Sequence, residues 1–299
     1  MSRTFFRALE FPGQLGFALV AILLLTGIFG PMMLSPSAMT TNSAATLLGP
    51  SAAHWFGTDN LGRDLFSGII IGARTALLVG FISVAFATVV GLLIGGLGGY
   101  FGGVLDEVFD RLTQLFIVIP RLFLAMALLS LFGTSIWIVI LTIGLVSWPQ
   151  VARLVRIEFL TLKKTDFVEA MVAAGASHQR IILRHMLPNT LPTIIANASL
   201  LMCSAILTEA GLAFFGLSDA STVSWGSMLS NAQQFLLVSF WMPLFPGLAI
   251  SLTGLGLNLL GDGLTKALSP KLRRTTSARK AGKKDTAKNA PVSLPRKVS

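Results

Sequence analysis

The chain has 299 residues, of which 53% are apolar and only 12% charged, with a mean hydropathy of +0.76. A soluble fold of this length could not withdraw so much apolar surface from water, because interior volume is limited. Lipid must be the solvent for most of it. The net charge of +10 belongs to one place: residues 271–299 carry ten basic groups and one acid, and the preceding 270 residues sum to +1. No aromatic residues interleave those charges, which argues against nucleic-acid binding. The tail reads as a disordered topology anchor beside anionic lipid heads.

Six apolar runs have the roughly 20 residues needed to cross about 30 Å of hydrocarbon. In chain order they are Leu15–Leu34, Thr75–Gly98, Leu115–Phe132, Ile136–Leu154, Thr193–Leu217 and Leu244–Leu264. The first follows Arg3 and Arg7 as a signal peptide would, but it is too long and lacks a small-residue cleavage site, so it reads as retained. Runs of this length are too long for barrel strands. With the N-terminus inside, the inner segments hold Arg3, Arg7, Arg111, Arg153, Arg156, Lys163, Lys164, Arg180, Arg184 and the whole tail; the outer segments hold only Arg63 and Arg74. That bias places both termini in the cytosol and demands an even number of crossings. The expected organisation is a cytosolic N-terminus over 1–14, a six-helix all-α membrane domain over 15–270, and the basic tail over 271–299. Trp148, Trp225 and Trp241 fall where interfacial aromatics are expected.

Between the fourth and fifth runs lies a long inner loop, about 155–192. Thr165 or Asp166 can cap a short helix there, with Glu169 in its first turn. Ala170, Ala173 and Ala174 give it a small, smooth face. Gly175 supplies a left-handed stop, and Ser177 can cap a second helix that ends near Pro188. The product is a helix–turn–helix hairpin at the inner surface. Two readings stand: a connector that tiles the interface, or a docking element for a cytosolic protein, with Glu169 and Arg180 offering charge complementarity.

The residues Glu169-Ala170, Gly175 six positions after Glu169, Ile182 and Leu187-Pro188 resemble the EAA loop of ABC-importer permeases, with Met171 standing where the family has a second alanine. Further segments match the dipeptide, oligopeptide and nickel permeases in order. They are His54–Asp64 (HWFGTDNLGRD), Gly99–Gly103 (GYFGG), Ser147-Trp148-Pro149 with Ala152-Arg153, Ser224-Trp225-Gly226, and Phe245-Pro246-Gly247 with Asn258–Asp262 (NLLGD). The chain resembles the second of two related permeases over about residues 10–274. The resemblance implies a type I ABC importer permease fold in a bacterial or archaeal cytoplasmic membrane. It implies a sister permease sharing the translocation path, two cytosolic ATPase subunits beneath, and an extracytoplasmic solute-binding protein. It gives ATPase-docking roles to Glu169, Ala170, Gly175, Leu187 and Pro188. Di- or oligopeptides are the first solute class implied, with nickel or a metal chelate next. The chain contains no GxxxxGK[ST] phosphate loop, so hydrolysis, ATP and magnesium are expected on the partners and no cofactor on this chain. The alternatives are a stand-alone secondary transporter or channel, which would need intramembrane charges in paired broken helices, and a scaffold without transport activity.

Gly91, Gly95, Gly99 and Gly103 recur every four residues and mark one helix face, for close packing or for bending. Glu209, inside the fifth run, either lines the solute path or makes a structural hydrogen bond. Arg121, after Pro120, is expected to snorkel to the inner surface. His54, His178 and His185 lie in loops without a carboxylate or thiol cluster, so no metal site is read. Cys203, the one cysteine, reads as a buried packing residue.

Overall fold

The computed structural model describes residues 11–34 and 39–268. The basic tail and the first ten residues lie outside them. Every regular element among the described residues is a helix, as a backbone in lipid requires. We number them α1 (Phe11–Met33), α2 (Leu65–Phe101), α3 (Gly103–Val118), α4 (Arg121–Phe132), α5 (Ile136–Lys163), α6 (Asp166–Ala173), α7 (His178–Ile181), α8 (Leu187–Phe214), α9 (Trp225–Ala232) and α10 (Trp241–Leu268). The bundle has an elbow end, where α5 meets α6, and a loop end, where α2 begins.

Five helical stretches are long and apolar enough to span a membrane: α1, α2, α5, α10 and the continuous run His178–Phe214. A sixth crossing exists only if α3 and α4 count together, and they meet at 87°. The expected third span, Leu115–Phe132, is therefore not one helix. Pro120 removes an amide donor and pushes Ile119 into extended backbone (φ −82°, ψ 125°). The apolar run passes through the break, so a hydropathy window does not register it.

The core is the seam of α2 against α5. Gly91, Gly95 and Gly99 line it. A β-carbon on Gly95 would sit 2.2 Å from the Ala152 carbonyl oxygen, and one on Gly99 would sit 2.9 Å from that of Arg156. Gly144 returns the approach from α5, where an added β-carbon would sit 3.1 Å from the Ser83 carbonyl oxygen, while Ser83 Oγ donates to the Ile140 carbonyl at 2.8 Å. Gly103 does not belong to this stripe. It lies past the Gly102 break and opens α3 at φ +59°, with open space where a β-carbon would go, so its freedom serves the joint between α2 and α3 and not packing. α1 closes on α10 at Gly16 and Gly256 in the same small-residue manner.

Two tryptophans read as interfacial are core residues. Trp148 is 2% exposed and packs edge-on to Phe116 at 5.3 Å. Trp225 is 4% exposed, and its Nε1 donates to the Ile69 carbonyl at 3.0 Å. The segment 218–243, between α8 and the start of α10, carries helix of its own. Ser224 and Ser227 form a reciprocal capping box that starts α9, and Gly226 lets α9 press on the Ala210 backbone. Arg74 sits inside α2, because Asp64 caps that helix ten residues earlier than expected, accepting from the Ser67 amide at 2.9 Å.

Candidate functional site: the elbow

α5 continues to Lys163, well past the expected end of its apolar run, and hands over to α6 at Thr165. Neither expected side-chain cap is made. Thr165 Oγ1 donates back to the Leu162 carbonyl at 2.5 Å, and Ser177 makes no side-chain cap bond. Backbone does the work instead: the Thr165 carbonyl accepts from the amides of Val168 and Glu169. At the other end of α6, Gly175 (φ +76°) donates to the Val172 carbonyl and Ala176 to the Met171 carbonyl, a Schellman closure.

The second arm differs from expectation. It does not end near Pro188. α7 runs into a π turn over Ile182–Met186 and then directly into α8, giving one helical run from His178 to Phe214. The π turn explains how. Pro188 has no amide hydrogen to donate, and the Leu187 amide bonds one residue further back than usual, to the Ile182 carbonyl. The hairpin is thus a short helix, α6, folded onto the extended foot of a membrane helix.

One face of this elbow is locked into the bundle. Val168, Ile181 and Met186 are each at most 1% exposed and belong to the main core cluster, with Met171 and Ala176 packed against it. The other face is open: Glu169, Ala170, Ala173, Ala174 and Gly175 are all exposed, as is Pro188, and Leu187 is half-buried. The elbow is also tied to the end of α2. Lys163 Nζ donates to the Tyr100 carbonyl at 2.7 Å, and the Tyr100 hydroxyl lies 2.8 Å from His178 Nδ1. Deeper in, Arg156 grips Asp106 with two hydrogen bonds, at 2.6 and 2.8 Å, anchoring α3 to α5. Removing the hydroxyl in Tyr100→Phe leaves His178 without that partner. The net loss expected is about 0.5–1.5 kcal/mol, read as faster amide exchange across 166–181 with little change in Tm.

At the loop end, residues 42–64 fold over the bundle around Thr58, which is fully buried; its hydroxyl donates to the Ala45 carbonyl at 2.5 Å and accepts from the Leu48 amide at 2.9 Å. A cavity of about 330 Å³ opens there, bordered by Asp59, Arg63, Asp64 and Asp219. Asp219 accepts from the Ser221 hydroxyl and amide, which holds its carboxyl below the usual range, and also from the Ile136 amide. Glu209 is 5% exposed, beside Ser224, next to a void of only about 10 Å³. That is room for about one water, so in this conformation Glu209 borders no solute-sized space there.

Among solved structures, the fold matches the inward-facing MetNI methionine ABC transporter with a TM-score of 0.58, covering 69% of this chain and 98% of that one at 19% identity. The architecture is that of a type I importer permease: all-α and multi-pass. The family of binding-protein-dependent transport system inner membrane components matches residues 87–274, and the chain belongs to it. It is a permease subunit of an ABC importer and not itself an enzyme. Similar relatives include the dipeptide transport system permease DppC of Alkalihalophilus pseudofirmus, 40% identical over 86% of this chain and 85% of that protein. The probable D,D-dipeptide permease DdpC of Escherichia coli K12 is 40% identical over 85% of each. The oligopeptide permease OppC of Bacillus subtilis is 34% identical over 87% of this chain and 86% of that one.

Proposed function

We propose that this permease carries di- or oligopeptides across the bacterial or archaeal cytoplasmic membrane, with nickel or a metal chelate as the second solute class. It pairs with a sister permease, stands on two ATPase subunits that bind ATP and magnesium, and receives solute from an extracytoplasmic binding protein. The elbow end and both termini face the cytosol. Glu169, Ala170, Gly175, Leu187 and Pro188 dock one ATPase, and the glycine seam of α2 keeps the lever's support rigid.

The observation that carries this reading is the two-faced elbow. Small residues, the carboxylates of Asp166 and Glu169, and the apolar Phe167 and Val172 are exposed, and Val168, Ile181 and Met186 are fixed in the core behind them. A force applied at α6 crosses the Gly175 turn into α7 and from there reaches α8 through continuous helix. Closure of the ATPase pair then tilts α8 and switches the path between inward-open and outward-open states. The relatives named for dipeptides and oligopeptides support the solute class. The test is co-expression with the neighbouring transport genes. Two ATPase subunits per permease pair are expected to co-purify, and proteoliposomes are expected to take up a labelled dipeptide only with ATP. Uptake driven by an ion gradient alone, without ATPases, overturns the reading.

A further inference from the structure

The sequence placed Arg121 at the inner surface, and the structure does not. Arg121 opens α4, whose 12 residues rise about 18 Å to Phe132 at the loop end. Its Nη2 donates to the Ser204 hydroxyl at 2.5 Å, the Ser204 carbonyl at 3.2 Å and the Thr208 hydroxyl at 2.6 Å. Those residues lie six to ten positions before the end of α8, so about 9–15 Å below it. The guanidinium therefore sits within a hydrocarbon layer about 30 Å thick.

Every acceptor it has there is neutral. Among the described residues, no carboxylate lies within ion-pair distance of Arg121, although Arg63, Arg111 and Arg156 all have one. A cation at this depth is costly unless it faces an aqueous cavity or an opposite charge. Arg121 is only partly buried, so it is not sealed inside this chain. It lies where the start of α4 meets α8, and its partial exposure there leaves one side open beyond this chain. A guanidinium has five N–H donors, and two are on Nη2, leaving three on Nε and Nη1. The side chain is pinned by one edge, which removes the entropy cost of positioning it for a planar anion. The uncapped N-terminus of α4, after Pro120, adds a partial positive charge at the same depth.

We propose that Arg121 is a carboxylate-reading point on the translocation path, where the free C-terminal carboxylate of a passing peptide pairs with the guanidinium. The anion completes the charge balance that Ser204 and Thr208 leave open, and it departs readily because only one charged residue holds it. This inference rests on the peptide reading above.

The experiment compares uptake of a dipeptide with its C-terminal amide, in proteoliposomes holding the whole assembly with either wild-type permease or Arg121→Gln. Any preference of the binding protein is common to both variants and cancels in the ratio of ratios. Arg121→Gln is expected to slow the free acid about tenfold or more, the usual worth of a charge-assisted hydrogen bond, and to leave the amide within about twofold. Arg121→Lys is expected to recover part of the free-acid rate. An equal loss for acid and amide, or loss of the sister permease on purification, makes Arg121 a structural or inter-subunit residue and overturns the proposal. An unchanged acid-to-amide ratio with intact uptake overturns it alone. No ATP-dependent uptake of either peptide by the wild type overturns the peptide reading and takes this inference with it.

Discussion

Gly95→Ala is expected to lower Tm by about 5 °C or more and to reduce the yield of folded permease in detergent. A β-carbon at that position falls 2.2 Å from the Ala152 carbonyl oxygen, and 2.9 Å from the Ala152 Cα and carbonyl carbon. The obstacle is backbone, so no rotamer change relieves it, and α2 must move away from α5. Overpacking of this kind costs about 1–3 kcal/mol, and occasionally more. Here the displaced seam also holds the Ser83–Ile140 bond and the buried side chains of Ile140, Val151 and Val155. Gly247→Ala is the control. It lies in α10 with nothing within 4 Å of an added β-carbon, and replacing a helix-interior glycine is worth about 0.5–1 kcal/mol in the opposite direction. Thermal unfolding of both variants in the same detergent separates the two effects. A Gly95→Ala protein as stable as wild type removes the claim that this seam is close-packed backbone on backbone.

Glu169→Lys is expected to abolish co-purification of the ATPase subunits and ATP-driven uptake while the permease still folds and inserts. Glu169 is exposed on α6 and makes no ion pair among the described residues. Placing a lysine in the first turn of α6 costs the helix only about 0.3–1 kcal/mol through its dipole. That is too little to release α6 while Val168 stays in the core. A reversed charge in a docked interface costs several kcal/mol, enough to empty it at working concentrations. The discriminating pair of measurements is therefore Tm, expected within about 2 °C of wild type, and ATPase retained on an affinity column, expected to fall at least tenfold. Glu169→Gln keeps the hydrogen-bonding atoms and should fall between. Full ATPase retention by Glu169→Lys would remove Glu169 from the docking surface.

How much of this was legible beforehand depends on the kind of signal. Long apolar runs are a one-dimensional property, and α1, α2, α5, α8 and α10 were readable as spans for that reason, although α2 begins at Leu65 instead of Thr75 and α5 continues to Lys163 instead of Leu154. Gly175 was readable because a left-handed residue leaves a local sequence mark. The break between α3 and α4 carried a local mark too, Pro120, but hydropathy averages over it. The second arm of the elbow was misread in the other direction. Pro188 looked like a stop, and the π turn before it absorbs the missing donor.

Sequence alone determined that this chain lives in lipid as helices, that its elbow lies between α5 and α8, and that its motifs are those of an importer permease. The first two follow from composition, periodicity and short-range spacing, and the third from the resemblance of those segments to known permeases. Tertiary structure decided which side chains meet across the bundle: Trp148 and Trp225 in the core, Gly103 outside the glycine seam, and Arg121 on Ser204 and Thr208 instead of at the surface. Those outcomes depend on helices 50 to 160 residues apart in the chain lying side by side, and burial at such contacts leaves no trace in either strand of sequence taken singly.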